Sequence, residues 1–114
     1  MRVGRSFHVD SSHVLPGHPK CGVMHGHTYR FDVVVEGPDD DAMVIDFDEL
    51  RTACDEFLDD LDHVHLNDIL PMPTVENLAR HTFAGLSKRL PGLALVRVWE
   101  GDGKYAEFEP GRKG

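Results

Sequence analysis

The chain has 114 residues, with 12 Lys and Arg against 20 Asp and Glu, and a formal net charge of -8 when its eight histidines are neutral. This length fits one domain with a single core, so we expect residues 1–114 to form one domain with a loose tail from about residue 110. The acidic balance argues against a general binder of nucleic acid or anionic membrane, since both reward clustered Lys and Arg. No stretch approaches the ~20 apolar residues of a membrane span and none resembles a signal peptide, so a cytoplasmic protein is expected.

The first third of the chain predicts two strands joined by a loop. Residues 3–13 are expected to be extended, and the Pro- and Gly-containing stretch 14–24 to be a loop. From His25 to Glu36 apolar and polar residues alternate with period two. His25 and His27 therefore lie at the end of a core-facing stripe.

Two helices are predicted next. Asp46 with Glu49 three residues on resembles a capping box, and Thr74 is a typical N-cap. Apolar side chains then recur at three- and four-residue steps as far as Leu61 in the first helix and Leu90 in the second.

A strand hairpin is predicted to close the chain. Leu93–Glu100 and Lys104–Phe108 flank three residues, Gly101-Asp102-Gly103, that suit a hairpin turn. The order strand, strand, helix, helix, strand, strand predicts an α+β fold, in which two helices cover one face of an antiparallel sheet.

The sharpest local motif is His25-Gly26-His27. An i, i+2 pair on a strand aims both imidazoles the same way, and Gly26 permits close backbone approach. His13, at the end of the preceding strand, is the candidate third ligand. Three histidines with one open position are typical of catalytic zinc. From spacing alone, ordinary surface or core histidines are an equally good explanation.

The two cysteines lie in different surroundings and are predicted to be free thiols. Cys21 lies four residues before His25, where zinc or an imidazolium could make it a nucleophile or base. A fourth zinc ligand and an inert loop thiol are the alternatives. Cys54 falls in a helical core stripe and is predicted to serve packing only.

Two further sets of polar residues have both a functional and a structural interpretation, and a third has a structural one. Asp62-His63 could be a carboxylate that orients an imidazole base, or a solvated loop cluster. Glu100 could accept two parallel hydrogen bonds from an amidine-like ligand edge, or be a strand-end charge. Thr74 and Glu76 suit a helix cap and a first-turn acid.

Six spaced segments together form a pattern that covers the chain from residue 7 to about residue 108. They are F-H-V-D-S-S-H at 7–13, C-G-V-M-H-G-H-T-Y at 21–29, V-I-D-F-D-E-L at 44–50, L-D-H-V-H-L-N-D at 61–68, P-T-V-E-N-L-A at 73–79 and V-R-V-W-E at 96–100. In this order and at these separations they resemble the 6-pyruvoyl/6-carboxytetrahydropterin synthase family.

The resemblance implies a zinc site and a catalytic thiol. His13, His25 and His27 match the family's Zn²⁺ ligands, and Cys21 matches its catalytic cysteine. The implied fold is the T-fold, a four-stranded antiparallel sheet with two helices. Its trimers form a barrel and two trimers stack into a homohexamer, with active sites between subunits.

The resemblance also implies roles for the remaining candidates. Asp62 and His63 match a proton-relay pair, expected to act on the Cys21 of a different subunit. Glu100 matches the carboxylate that anchors the pterin ring. Thr74 and Glu76 match a segment that lines the pterin pocket, although the residue between them is a valine where some members have a second hydroxyl.

The spacing around the motif selects a branch of the family. Three residues separate Cys21 from His25, which resembles the 6-carboxytetrahydropterin synthases. The implied reaction converts 7,8-dihydroneopterin triphosphate to 6-carboxy-5,6,7,8-tetrahydropterin with loss of triphosphate and acetaldehyde, on the route to 7-deazapurines such as queuosine. Lys20 and Arg30 are candidates to bind the triphosphate. A pyruvoyl-type synthase and a non-catalytic zinc-binding protein on the same scaffold are the alternatives.

Overall fold

A computed structural model describes residues 1–17 and 25–111 of the chain. Its elements in chain order are β1 (Arg2–His13), β2 (His25–Glu36), α1 (Phe47–Asp59), a short 3-10 helix (Leu66–Asp68), α2 (Val75–Leu86), β3 (Leu93–Glu100) and β4 (Lys104–Phe108). The strands form one antiparallel sheet in the order β1-β2-β3-β4, and both helices pack on the same face. The predicted α+β arrangement is confirmed.

The alternation in β2 determines which residues face the helices. Tyr29, Phe31, Val33 and Val35 are all at most 5% exposed and belong to the core cluster. They share the predicted stripe with the two histidines of the H-G-H motif, since side chains two residues apart in a strand point to the same face.

Both helices begin at the predicted cap. The Asp46 carboxylate accepts a hydrogen bond from the backbone N–H of Asp48, one residue earlier than the capping box with Glu49 would place it. The Thr74 hydroxyl accepts from the backbone N–H of Asn77. These bonds satisfy backbone donors that a helix N-terminus leaves without intrahelical partners.

The second helix ends earlier than predicted. Its last helical residue is Leu86, although the apolar stripe continues to Leu90. The backbone N–H groups of Arg89 and Leu90 both donate to the Leu86 carbonyl, so the chain tightens into a turn at this point. Leu90 still reaches the core, at 5% exposure, without being helical.

The loop after α1 is fastened to the end of β1. The His63 N–H donates to the Asp10 carbonyl at 2.6 Å, and the Asp10 N–H donates to Asp62 Oδ1 at 2.9 Å. Further along, the Asn67 side chain bonds both backbone groups of Val14, at 2.8 and 2.9 Å. His63 adopts a left-handed φ of 54° within this loop. The docking holds the loop against the strand that carries His13.

In the described part of the chain, no helix is both long and apolar enough to cross a membrane.

Gly85 in α2 lies against Phe57 of α1. A Cβ atom at this position would stand 2.0 Å from Phe57 Cε2. We therefore expect Gly85→Ala to lower the free energy of unfolding by about 1–3 kcal/mol through overpacking, despite the gain of about 1 kcal/mol that alanine brings to a helix interior. Urea unfolding monitored by circular dichroism measures the change. In a Phe57→Ala background the clash is gone, and Gly85→Ala should then raise stability. An equal loss in both backgrounds would exclude the clash as the cause.

The left-handed backbone of His63 should favour glycine. Such a φ costs a residue with a Cβ roughly 1–2 kcal/mol, so we expect His63→Gly to be more stable than His63→Ala by about 1 kcal/mol. Both variants lose the imidazole, and the difference therefore reports the backbone alone. His65, whose φ is -89°, provides the matched pair, and there the alanine variant should be the more stable. The idea fails if His63→Ala equals or exceeds His63→Gly in urea unfolding.

Candidate metal centre

Three histidines converge at one end of the sheet. The β1-β2 register places His13 opposite His25, and His27 is the next residue on the same face of β2. Their ring centroids lie 4.4 to 4.9 Å apart, and the Nε2 atoms of His13 and His25 are 2.9 Å apart. One nitrogen from each ring lies within 4.8 Å of the other two, so the three could hold a metal ion.

The surroundings favour neutral imidazoles at this cluster. Burial lowers the pKa of His13, although the Pro73 carbonyl beside its Nδ1 acts in the opposite direction. Burial also lowers the pKa of His27, and the Glu100 carboxylate offsets part of that effect. Because only a neutral imidazole has a lone pair for a metal, both shifts favour metal binding near pH 7.

One buried nitrogen of the cluster has no hydrogen bond to any described residue. His27 Nε2 is buried and has no hydrogen-bond partner within residues 1–17 and 25–111. Glu100 Oε1 lies 3.5 Å away without forming such a bond. A buried polar atom without a partner is costly, and coordination to a cation would satisfy this lone pair. Three nitrogen donors beside a carboxylate suit zinc, which favours imidazole ligands in open catalytic sites.

The other ring nitrogen of His13, Nδ1, also has polar contacts. His13 Nδ1 lies 3.2 Å from the Pro73 carbonyl oxygen and 2.9 Å from the Tyr29 hydroxyl. Sequence reasoning did not single out either residue for the site. The period-two pattern of β2 could have indicated Tyr29, since it is the next core-facing residue after His27.

Glu100 lies beside the cluster, at the end of β3. It pairs with Tyr29 across the β2-β3 ladder, and 17% of its side chain is exposed. Lys104, its partner across the β3-β4 hairpin, has Nζ 3.7 Å from the same Oε1. A carboxylate in this position can accept hydrogen bonds from a ligand above the histidines, and its role as the pterin anchor stays a prediction.

Asp62 and His63 form a separate cluster with Asp10. His63 Nδ1 lies 2.9 Å from Asp62 Oδ2, and the backbone N–H of Asp10 holds the pKa of Asp62 below its usual range. A pocket of about 590 Å³ beside the pair is lined by His63, by His27 of the histidine cluster, and by Asp10 and Thr28, which share a hydrogen bond. Asp10 and Thr28 belong to the strand positions that alternate with His13 and His27, so they project from the opposite face of the sheet. The pair is not part of the three-histidine group, although His63 and His27 line the same pocket.

The start of α2 adjoins the histidines through its backbone. Pro73, whose carbonyl faces His13, directly precedes the N-cap Thr74, and the Thr74 hydroxyl is engaged in the cap. Glu76 instead lines a small cavity of about 50 Å³ together with Ala106 and Phe108 of β4. The pocket-lining roles of Thr74 and Glu76 stay predictions.

The structure describes one of the two cysteines and one of the two candidate phosphate ligands. Cys21 and Lys20 lie outside the described residues. Cys54 is fully buried in α1, and burial raises the pKa of its thiol to about 12, which confirms the packing prediction. Arg30 points to the helix-free face of the sheet, where it bonds Asp32 at 3.1 Å and stacks on Trp99 at 4.4 Å.

Comparisons with known proteins agree with this geometry. A sequence profile described as 6-pyruvoyl tetrahydropterin synthase matches residues 2–111. A protein of Archaeoglobus fulgidus, provisionally named a 6-carboxy-5,6,7,8-tetrahydropterin synthase, is 35% identical over 109 residues, which are 95% of each chain. The dihydroneopterin monophosphate aldolase of Pyrococcus furiosus is 39% identical over 89 residues, which are 75% of this chain and 78% of its own.

A solved structure shares the fold. The 6-pyruvoyl tetrahydropterin synthase of Caenorhabditis elegans superposes with a TM-score of 0.86 at 22% identity, covering 96% of this chain and 94% of that one. The predicted T-fold is confirmed by this match, which spans the sheet and both helices. The profile match over residues 2–111 shows that the chain belongs to the 6-pyruvoyl tetrahydropterin synthase family of pterin synthases.

Proposed function

We propose that the protein is a zinc-dependent 6-carboxy-5,6,7,8-tetrahydropterin synthase. Its substrate would be 7,8-dihydroneopterin triphosphate, and its products 6-carboxy-5,6,7,8-tetrahydropterin, triphosphate and acetaldehyde, within 7-deazapurine biosynthesis. The observation that carries the proposal is the convergence of His13, His25 and His27 beside the Glu100 carboxylate. The Archaeoglobus relative and the three-residue spacing between Cys21 and His25 support the carboxy branch.

The residues at the cluster suit binding of a pterin side chain and ring. Bound zinc would supply Lewis acidity toward the hydroxyl and carbonyl oxygens of the substrate side chain. Glu100 would accept two parallel hydrogen bonds from the N–H and amino groups on the pyrimidine edge of the pterin, as a carboxylate does from a guanidinium. That contact would hold the side chain of the pterin over the three histidines.

Proton transfer would fall to Cys21 and His63. The Asp62 carboxylate, 2.9 Å from His63 Nδ1, would orient the imidazole so that its Nε2 exchanges protons with the substrate or the thiol. Asp62 and His63 form a cluster separate from the three histidines, and the family resemblance implies a site shared between neighbouring subunits of a homohexamer. Each chain would then give its His63 to the metal centre of another.

A second candidate reaction is cleavage of a pterin monophosphate. The 39% identity to the Pyrococcus aldolase favours it. So does the scarcity of positive charge, because among the described residues the cation beside Glu100 is Lys104, and the carboxylate already pairs with it. Arg30 is engaged with Asp32 on the helix-free face. One phosphate needs fewer cationic partners than three.

Product identification separates these reactions. We expect the zinc-loaded protein to convert the triphosphate substrate to 6-carboxytetrahydropterin with acetaldehyde and triphosphate, detected by mass spectrometry. Cys21→Ala should lose nearly all turnover while keeping its zinc, whereas Cys54→Ala should keep its turnover. A pyruvoyl-type product without acetaldehyde would reject the carboxy branch, and turnover of the monophosphate alone would favour the second candidate. Turnover of neither would indicate a non-catalytic zinc protein.

Metal content tests the centre independently of activity. We expect one zinc per chain by mass spectrometry of the dialysed protein, and substantially less in His13→Ala, His25→Ala and His27→Ala, because each variant removes one of three ligands. His8→Ala is the matched control, since His8 is exposed on the same strand as His13. Full zinc in all three ligand variants would contradict the proposed site.

A further inference from the structure

We infer that Tyr29 is a positioning residue whose hydroxyl orients His13 and thereby raises the metal affinity of the cluster. The inference rests on the proposed metal centre and deepens it. Tyr29 makes the contact from the strand that carries the other two histidines. It is one of the two tyrosines in the chain and is 1% exposed.

The position of Tyr29 brings its ring to both neighbouring imidazoles. Its ring centroid lies 6.1 Å from that of His13 and 5.9 Å from that of His27, with interplanar angles of 71° and 72°. Its main chain pairs with Val9 on β1 and Glu100 on β3, so the backbone beneath it is held on both sides. The sheet therefore fixes the position of the phenol ring and of its hydroxyl.

The Pro73 carbonyl determines which ring nitrogen of His13 carries the proton. A carbonyl oxygen can only accept a hydrogen bond, so Nδ1, 3.2 Å from that oxygen, must be the protonated nitrogen. His13 Nε2 then keeps its lone pair, and this atom faces the cluster, 2.9 Å from His25 Nε2. The Tyr29 hydroxyl, 2.9 Å from Nδ1, is a second acceptor for the same N–H.

The two contacts come from different parts of the fold. Tyr29 approaches from β2 and Pro73 from the start of α2, so together they restrict rotation of the His13 ring. His13 itself is completely buried. Partners that hold the second nitrogen of a metal-binding histidine fix its tautomer and orientation, and their loss typically weakens metal affinity by about 10- to 100-fold.

The test is Tyr29→Phe, which removes one oxygen and keeps the ring. We expect its zinc affinity, measured by competition with a chromophoric chelator, to fall roughly tenfold, the lower end of that range, because the Pro73 contact remains. Tyr105→Phe removes the other tyrosine hydroxyl, from an exposed ring on β4, and should bind zinc as the wild type does. Equal affinities for Tyr29→Phe and Tyr105→Phe would overturn the inference.

A second measurement uses the metal-free protein and requires no catalysis. Long-range ¹H–¹⁵N spectra above neutral pH should show His13 as the Nδ1–H tautomer in the wild type and in Tyr29→Phe, because the Pro73 carbonyl remains in both. A predominant Nε2–H tautomer in the wild type would overturn the inference even if the variant fails to fold. Wild-type protein that binds no zinc would refute the metal centre itself, whereas tight wild-type binding with an unchanged Tyr29→Phe would refute the role of Tyr29 alone.

Discussion

The antiparallel register between β1 and β2 is the constraint on which the candidate centre depends. It pairs His13 with His25 and Ser11 with His27, so histidines 12 and 14 residues apart in sequence meet on one face. A slip of one residue would turn every side chain of one strand to the other face. The apolar stripe below the histidines prevents such a slip, because it would expose Tyr29, Phe31 and their neighbours to water. The same strand register therefore determines both the packing of the core and the geometry of the centre.

Burial favours metal binding at this centre. It also raises the free-energy cost of leaving the buried imidazole nitrogens without a partner. Removing His13 and His27 from water lowers the pKa of each imidazole and favours the neutral, ligating form. The same burial leaves His27 Nε2 without a hydrogen bond among the described residues. Tyr29 and Pro73 satisfy the other nitrogen of His13. The folded chain thus aligns ligands whose favourable partner would be a cation.

The chain carries two clusters of titratable side chains near one another. The histidine cluster lies on the face that carries the helices, and Asp62 and His63 are fastened to the backbone of Asp10 on the edge strand β1, beside a pocket that His27 also lines. The hydrogen bonds to Asp10 fix the position of the loop that carries His63.

Local patterns in the sequence determined the strands, the helix caps and the shared face of His25 and His27, because period-two alternation and capping chemistry act over a few residues. Motif spacing also identified the family. Only the tertiary structure decided that Tyr29 and the Pro73 carbonyl hold His13 and that Asp62 and His63 are fastened to Asp10. These features depend on contacts between segments tens of residues apart, whose distances follow from packing and cannot be read from periodicity.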